Sequence, residues 1–258
     1  MKQEIDNRNV TCFRQLPLPI MTITKPFWLS ALLFMPLISL AQGAAGYQVI
    51  GQVKGLSDGA KLYLIDGNQR KIIDSASVHQ EQFTLRGQLR EPAHLYLHIG
   101  RGRGSKKLAD ILLDNRTVYV KGNSPSYDSV TVSGSDIDRQ WKAWMKEDEQ
   151  IGLQRYRLKQ VHQFLVAQQD TANATVLNKL IANMQQSRVR LLKSYVQRYH
   201  DSATGAALPT LCTLEASLTG NDYLEMYQVL TPTWKQSTFG KETLSQATKK
   251  NKGLLSPK

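Results

Sequence analysis

Between Tyr47 and Val132 apolar and polar residues alternate in short runs, and each run ends in residues suited to turns. The runs cover 47–54, 61–66, 71–79, 82–87, 93–100, 108–114, 117–121 and 129–132. A period of two sends alternate side chains to opposite faces, so each run predicts a strand with one buried and one wet face. The breaks hold Ser57-Asp58-Gly59, Asp66-Gly67-Asn68, Glu91-Pro92, Gly100 to Gly104 and Asp114-Asn115. Their side chains close their own turns, or their backbone accepts positive φ. So many short strands in so little chain predict an antiparallel β-sandwich or a partly closed barrel.

At Ser133-Gly134-Ser135-Asp136 the period changes. Ser135 is a predicted helix N-cap, with Asp136 and Asp138 set against the positive end of the helix dipole. Apolar residues then recur every seven positions at Ile137, Trp144, Ile151, Leu158 and Leu165, which predicts a long helix with one apolar stripe. After the polar break at 168–173 a second stripe runs through Leu177, Leu180, Ile181, Met184, Leu191, Leu192, Tyr195 and Tyr199. Two such helices joined by a short connection form an antiparallel hairpin. Shorter helices are predicted at 209–218, 222–230 and 241–250, followed by a basic tail. The fold class is therefore α+β by segregation, with a β-sandwich domain at 42–134 and a helical domain at 135–258.

Residues 27–40 form an apolar run after Lys25, and Ser39-Leu40-Ala41 offers small residues at the −3 and −1 positions of a cut after Ala41. The run is shorter than a membrane span and is interrupted by Pro36, so residues 1–41 read as a cleaved secretory signal, with a retained anchor as the alternative. The lead-in before Met21 is unusually long, which makes Met21 a candidate start. The expected product is exported, periplasmic or otherwise in the cell envelope, with no stable membrane span after cleavage. Cys12 would leave with the leader, and Cys212 would remain alone.

Composition adds charge to this picture. The net charge of +12 favours encounters with anionic surfaces or acidic partners, while 41% hydrophobic residues exclude a disordered chain. Candidate chemistry is sparse. Cys212 lies among leucines, where a free cysteine behaves as a small buried hydrophobe. His94 and His98, on one face of a strand, would stand about 13 Å apart, too far to share a zinc ion. His79, His162 and His200 are scattered singly. Residues 100–107, Gly-Arg-Gly-Arg-Gly-Ser-Lys-Lys, miss the spacing of a phosphate loop and read as a basic hairpin loop. No Gly-x-Ser-x-Gly elbow is expected to support a hydrolase, and no carboxylate pair is singled out as general acid and base. Arg155, Arg157, Lys159, Arg188, Arg190, Lys193 and Arg198 read as a solvated helix face, and Trp141, Trp144 and Trp234 as packing anchors rather than base-stacking platforms. No catalytic, cofactor-binding or metal residue is assigned, and nucleic acid is not expected as a partner.

Several segments taken in order resemble a known family. They are Tyr47-Gln-Val-Ile-Gly51, Leu56-Ser-Asp-Gly59-Ala-Lys-Leu-Tyr-Leu64, Ile73-Asp74-Ser75, Phe83-Thr-Leu-Arg-Gly87, Pro92, Leu112-Leu113-Asp114-Asn115 and Val132-Ser-Gly134-Ser135. The series resembles the amino-terminal domain of unknown function that precedes a thioredoxin-like domain in exported thiol-disulfide oxidoreductases of the TlpA/ResA type. The helical part through Leu230-Thr-Pro232 and Phe239-Gly240 resembles their spacer. In that family the redox chemistry belongs to a Cys-x-x-Cys in the thioredoxin-like domain. Residues up to Lys258 hold no such motif, so the resemblance implies location and fold and withholds the activity. The expected function is a non-catalytic envelope module with a protein partner, with a truncated relative of such an oxidoreductase as its expected origin. The alternatives are the accessory half of a thiol-disulfide exchange system whose thioredoxin-like domain is supplied elsewhere, and a binder of anionic polymers.

Overall fold

The computed structural model describes residues 46–255. The segment read as a signal, the lead-in before it, Cys12 and residues 256–258 lie outside the described residues.

Eight strands form two four-stranded sheets. In chain order they are β1 Tyr47–Val53, β2 Lys61–Asp66, β3 Ile72–Ser77, β4 Gln82–Gly87, β5 Ala93–Ile99, β6 Lys106–Leu113, β7 Thr117–Gly122 and β8 Val130–Ser133. One sheet has the order β4-β1-β7-β8 and the other β3-β2-β5-β6, and neither closes into a barrel. Alternation does what the sequence predicts in β4, where Phe83 and Leu85 are buried and their neighbours Gln82, Thr84 and Arg86 exposed. Val49, Val53, Val118 and Val120 meet Leu62, Leu64, Leu95 and Leu97 between the sheets. Gly51 pairs with Phe83 across β1 and β4, and a Cβ on Gly51 would sit 2.0 Å from that ring, so the aromatic side chain fills the space only glycine leaves.

The expectation of antiparallel pairing throughout is corrected at one place: β1 and β7 are parallel, with Val49 opposite Val118 and Gly51 opposite Val120. The chain crosses to the other sheet for β5 and β6 before β7 returns, and a crossover of that length lets a strand re-enter in the same direction.

Strand β6 departs from alternation, since Leu108 through Leu113 are all buried. Its inner face joins the sandwich core, while Leu112 belongs to the helical core on the other side. The covering element is α1, Asp136–Ala167, whose N-cap is Ser135 as predicted. Ser135 Oγ accepts from the Asp138 amide at 3.2 Å and donates to the Leu112 carbonyl, and Asp138 Oδ1 accepts from the Leu112 amide at 3.0 Å. The cap thus fastens the helix start to the sheet edge. Gly134 makes the corner at φ +97°, where a Cβ would meet the Thr117 carbonyl oxygen at 2.6 Å.

After α1 come α2 Thr171–Arg198, α3 Ala203–Leu211, α4 Gly220–Val229, α5 Pro232–Gln236 and α6 Thr238–Leu255. Asp170 caps α2, and Thr219 with Asp222 forms a capping box on α4. The helix expected at 209–218 lies earlier. Residues Ala203 to Leu208 are all buried, and that packing outweighs the preference of Pro209 for a helix start, so the proline falls inside α3. The basic tail is helical as far as Leu255.

Trp141, Trp144, Leu192, Val196, Leu208, Tyr223 and Met226 fill the helical core. Glu91, in the loop between β4 and β5, accepts from the Thr238 amide at 2.9 Å and ties the start of α6 to the sandwich. The predicted α1 stripe is buried only near its start, at Ile137 and Trp144. Between residues 150 and 187 only Ala174 and Ile181 are buried, so each helix of the outer hairpin packs chiefly on the other.

Candidate functional site

The structure separates the residues that the sequence offered as chemistry. Cys212 follows the end of α3 and is half-buried, with its thiol donating to the Pro209 carbonyl at 3.4 Å. It borders a cavity of about 400 Å³ shared with Thr210, Glu215, Tyr223, Thr238 and Glu242. Burial pushes the thiol up to about 11, which favours its protonated form near neutral pH.

His94 and His98 lie on the outer face of β5 with Tyr96 between them, ring centroids 4.8 Å and 6.2 Å from the tyrosine. His94 is buried against Trp141 of α1, centroids 5.0 Å apart, and burial lowers its pKa. Beside it Asp110 Oδ2 accepts from Lys107 Nζ at 3.0 Å and from the Tyr127 hydroxyl at 2.9 Å. Asp110 and Trp141 border a cavity of about 230 Å³ between β6, β8 and α1. These groups were not grouped by the sequence reading, because strand pairing and the α1 crossing bring together residues from positions 94 to 141. Among the described residues no group of three or more His, Cys, Asp or Glu side chains is placed to hold a metal ion.

The basic loop at 100–107 folds over the same sheet face. Arg101 lies 4.8 Å from the Tyr63 ring, and Lys107 stacks on Tyr127 at 4.4 Å. The expectation of no Gly-x-Ser-x-Gly elbow is corrected at the level of sequence, since residues 55–59 spell Gly-Leu-Ser-Asp-Gly. They form the turn between β1 and β2, whereas a nucleophile elbow needs a strand running into a helix. Ser57 is exposed there, and Asp58 Oδ1 accepts from the Gln80 amide.

The expectation of a uniformly solvated basic helix face is corrected in the inner half of the hairpin. Arg188 makes a two-pronged pair with Asp148 on α1, and Lys193 reaches Asp222 and Glu225. Helices brought side by side supply these carboxylates from distant sequence positions. Trp141 and Trp144 are buried in the helical core and Trp234 packs against it.

The outer half of the hairpin is different. Leu153, Tyr156, Val161, Phe164, Val166, Val176 and Leu180 are seven of the twelve exposed large apolar residues among those described. Tyr156 and Phe164 are 61% and 63% exposed. Isolated exposed apolar residues are ordinary, whereas these seven share the outer half of one helical hairpin. Sequence reasoning missed it because it tracked the stripe between the two helices and not the outward positions 153, 156 and 164.

The described residues thus combine a two-sheet sandwich, a helical segment and an outer hairpin with exposed apolar side chains. Residues 47–141 match the family model described as a domain of unknown function, DUF4369. The match runs past β8 to Trp141, so it takes in the Ser135 and Asp138 fastening of α1 to β6. No curated protein and no solved structure matches the chain. Among the described residues no helix is long and apolar enough to cross a membrane.

Proposed function

We propose that the chain is a non-catalytic contact module of the cell envelope, akin to the accessory part that precedes the thioredoxin-like domain in exported thiol-disulfide oxidoreductases. The observation that carries this reading is the outer hairpin, where seven large apolar side chains stand in solvent on an otherwise conventionally buried fold. The raised pKa of Cys212 supports the absence of thiol chemistry from the module itself. The apolar run at 27–40 and the small residues before position 42 support export. The ordered segments from Tyr47 to Ser135 support the kinship, and with it a second reading as the accessory half of an exchange system.

An insulin-reduction assay on the purified protein, beside Cys212→Ser, tests the catalytic point. The expected result is no reduction by either. Reduction by the natural chain that Cys212→Ser abolishes would overturn the reading. The intact mass of protein from the envelope fraction tests export, with an amino terminus near Gln42 expected.

A further inference from the structure

On α1, Leu153, Arg157 and Val161 form one row at four-residue spacing, and Tyr156, Gln160 and Phe164 form the adjacent row. The shallow hollow lined by His162, Val166, Thr175 and Asn178 occupies one flank of the hairpin. By helix periodicity Val161, Val176 and Leu180 lie on the other flank, continuous with the two rows. One broad side of the hairpin is therefore apolar, with Arg157 in its middle.

Charge specifies what covers it. Residues 150–187 contain Arg155, Arg157, Lys159 and Lys179 against one carboxylate, Asp170, which is engaged in capping α2. None of these four cations makes an ion pair among the described residues, in contrast to Arg188 and Lys193 nearer the core. A second copy of the hairpin would bring cation against cation, with no acid on that side to offset them. Protruding aromatic and aliphatic side chains interleaved with unpaired cations suit a fluid anionic surface, where the apolar groups enter the interface and the cations reach the headgroups.

We infer that this side of the α1–α2 hairpin docks on an anionic phospholipid surface. The inference rests on the reading of the chain as a contact module and names what it contacts. Because Phe164 is exposed, Phe164→Trp in the full chain serves as a local reporter. With phosphatidylglycerol-containing vesicles its emission should shift to the blue and be quenched by brominated lipid, and with phosphatidylcholine alone it should do neither. Tyr156→Ser with Phe164→Ser should weaken vesicle flotation about tenfold or more. Arg157→Gln should weaken it on anionic vesicles and flatten its salt dependence. Thermal unfolding of each variant checks that the fold is intact. A reporter that stays unshifted on anionic vesicles overturns the inference, as does a variant pair that floats like the natural chain. So does a sedimenting dimer that the Tyr156 and Phe164 substitutions dissolve, since a second copy would then cover the surface. The insulin assay does not depend on these outcomes, so a failure here is distinguishable from a failure of the non-catalytic reading.

Discussion

Arg188 on α2 clasps Asp148 on α1 with both prongs of its guanidinium, Nε to Oδ1 at 2.7 Å and Nη2 to Oδ2 at 2.6 Å. Both side chains are largely buried, and the hydrogen bonds to Asp148 raise the Arg188 pKa, so the guanidinium keeps its charge. Removing one partner leaves a buried charge uncompensated. Asp148→Ala should destabilise the protein by about 3–5 kcal/mol. Asp148→Leu combined with Arg188→Met should recover most of that loss, because the cost lies in the orphaned charge. Urea denaturation of the two variants and the natural chain measures it.

The fastening of α1 to β6 depends on an acceptor more than on a charge. Burial raises the Asp138 pKa against the pull of Lys142, so ionising this carboxyl carries a cost. Asp138→Asn keeps the oxygen that accepts from the Leu112 amide and should stay close to the natural stability. Asp138→Ala leaves that buried amide unpaired and should cost about 1–3 kcal/mol. Equal losses in thermal denaturation would show that the charge matters more than the acceptor.

His94 gives stability a pH dependence of defined sign. Burial lowers its folded pKa below the ordinary 6.5, so below that value the unfolded chain binds the proton more readily. Its contribution is full above pH 6.5 and is lost as pH falls towards the folded pKa. Lowering the pH from 7.5 to about 5 should therefore destabilise the natural protein more than His94→Gln. Calorimetry across that range reads the difference, and parallel curves would show that His94 does not titrate between the two states.

Cys212 should be slow towards thiol reagents in the folded protein. With the thiol pushed up from 9.0 to about 11, its thiolate fraction at pH 8 is about a hundredfold below that of an ordinary cysteine. Labelling should accelerate on denaturation, and in the folded state should rise steadily with pH beyond 9. Fast native labelling at pH 7 would contradict the burial of this side chain.

The sequence by itself determined the elements and their order. Period-two runs marked all eight strands to within a few residues, and the cap at Ser135 marked the start of α1, because alternation and capping are local properties of the chain. The absence of a seven-residue signal on the outer positions of α1 concealed the exposed row at Tyr156 and Phe164, since apolar residues there serve no partner within the fold. Tertiary structure alone decided the parallel β1–β7 pair, the double burial of β6, the joining of His94 to Trp141 and the clasp between Asp148 and Arg188. Each of these depends on which surfaces meet after the chain has crossed between sheets or turned back at Asp170. Crossovers bring together residues tens of positions apart, and no local pattern encodes the partner a side chain acquires in that way.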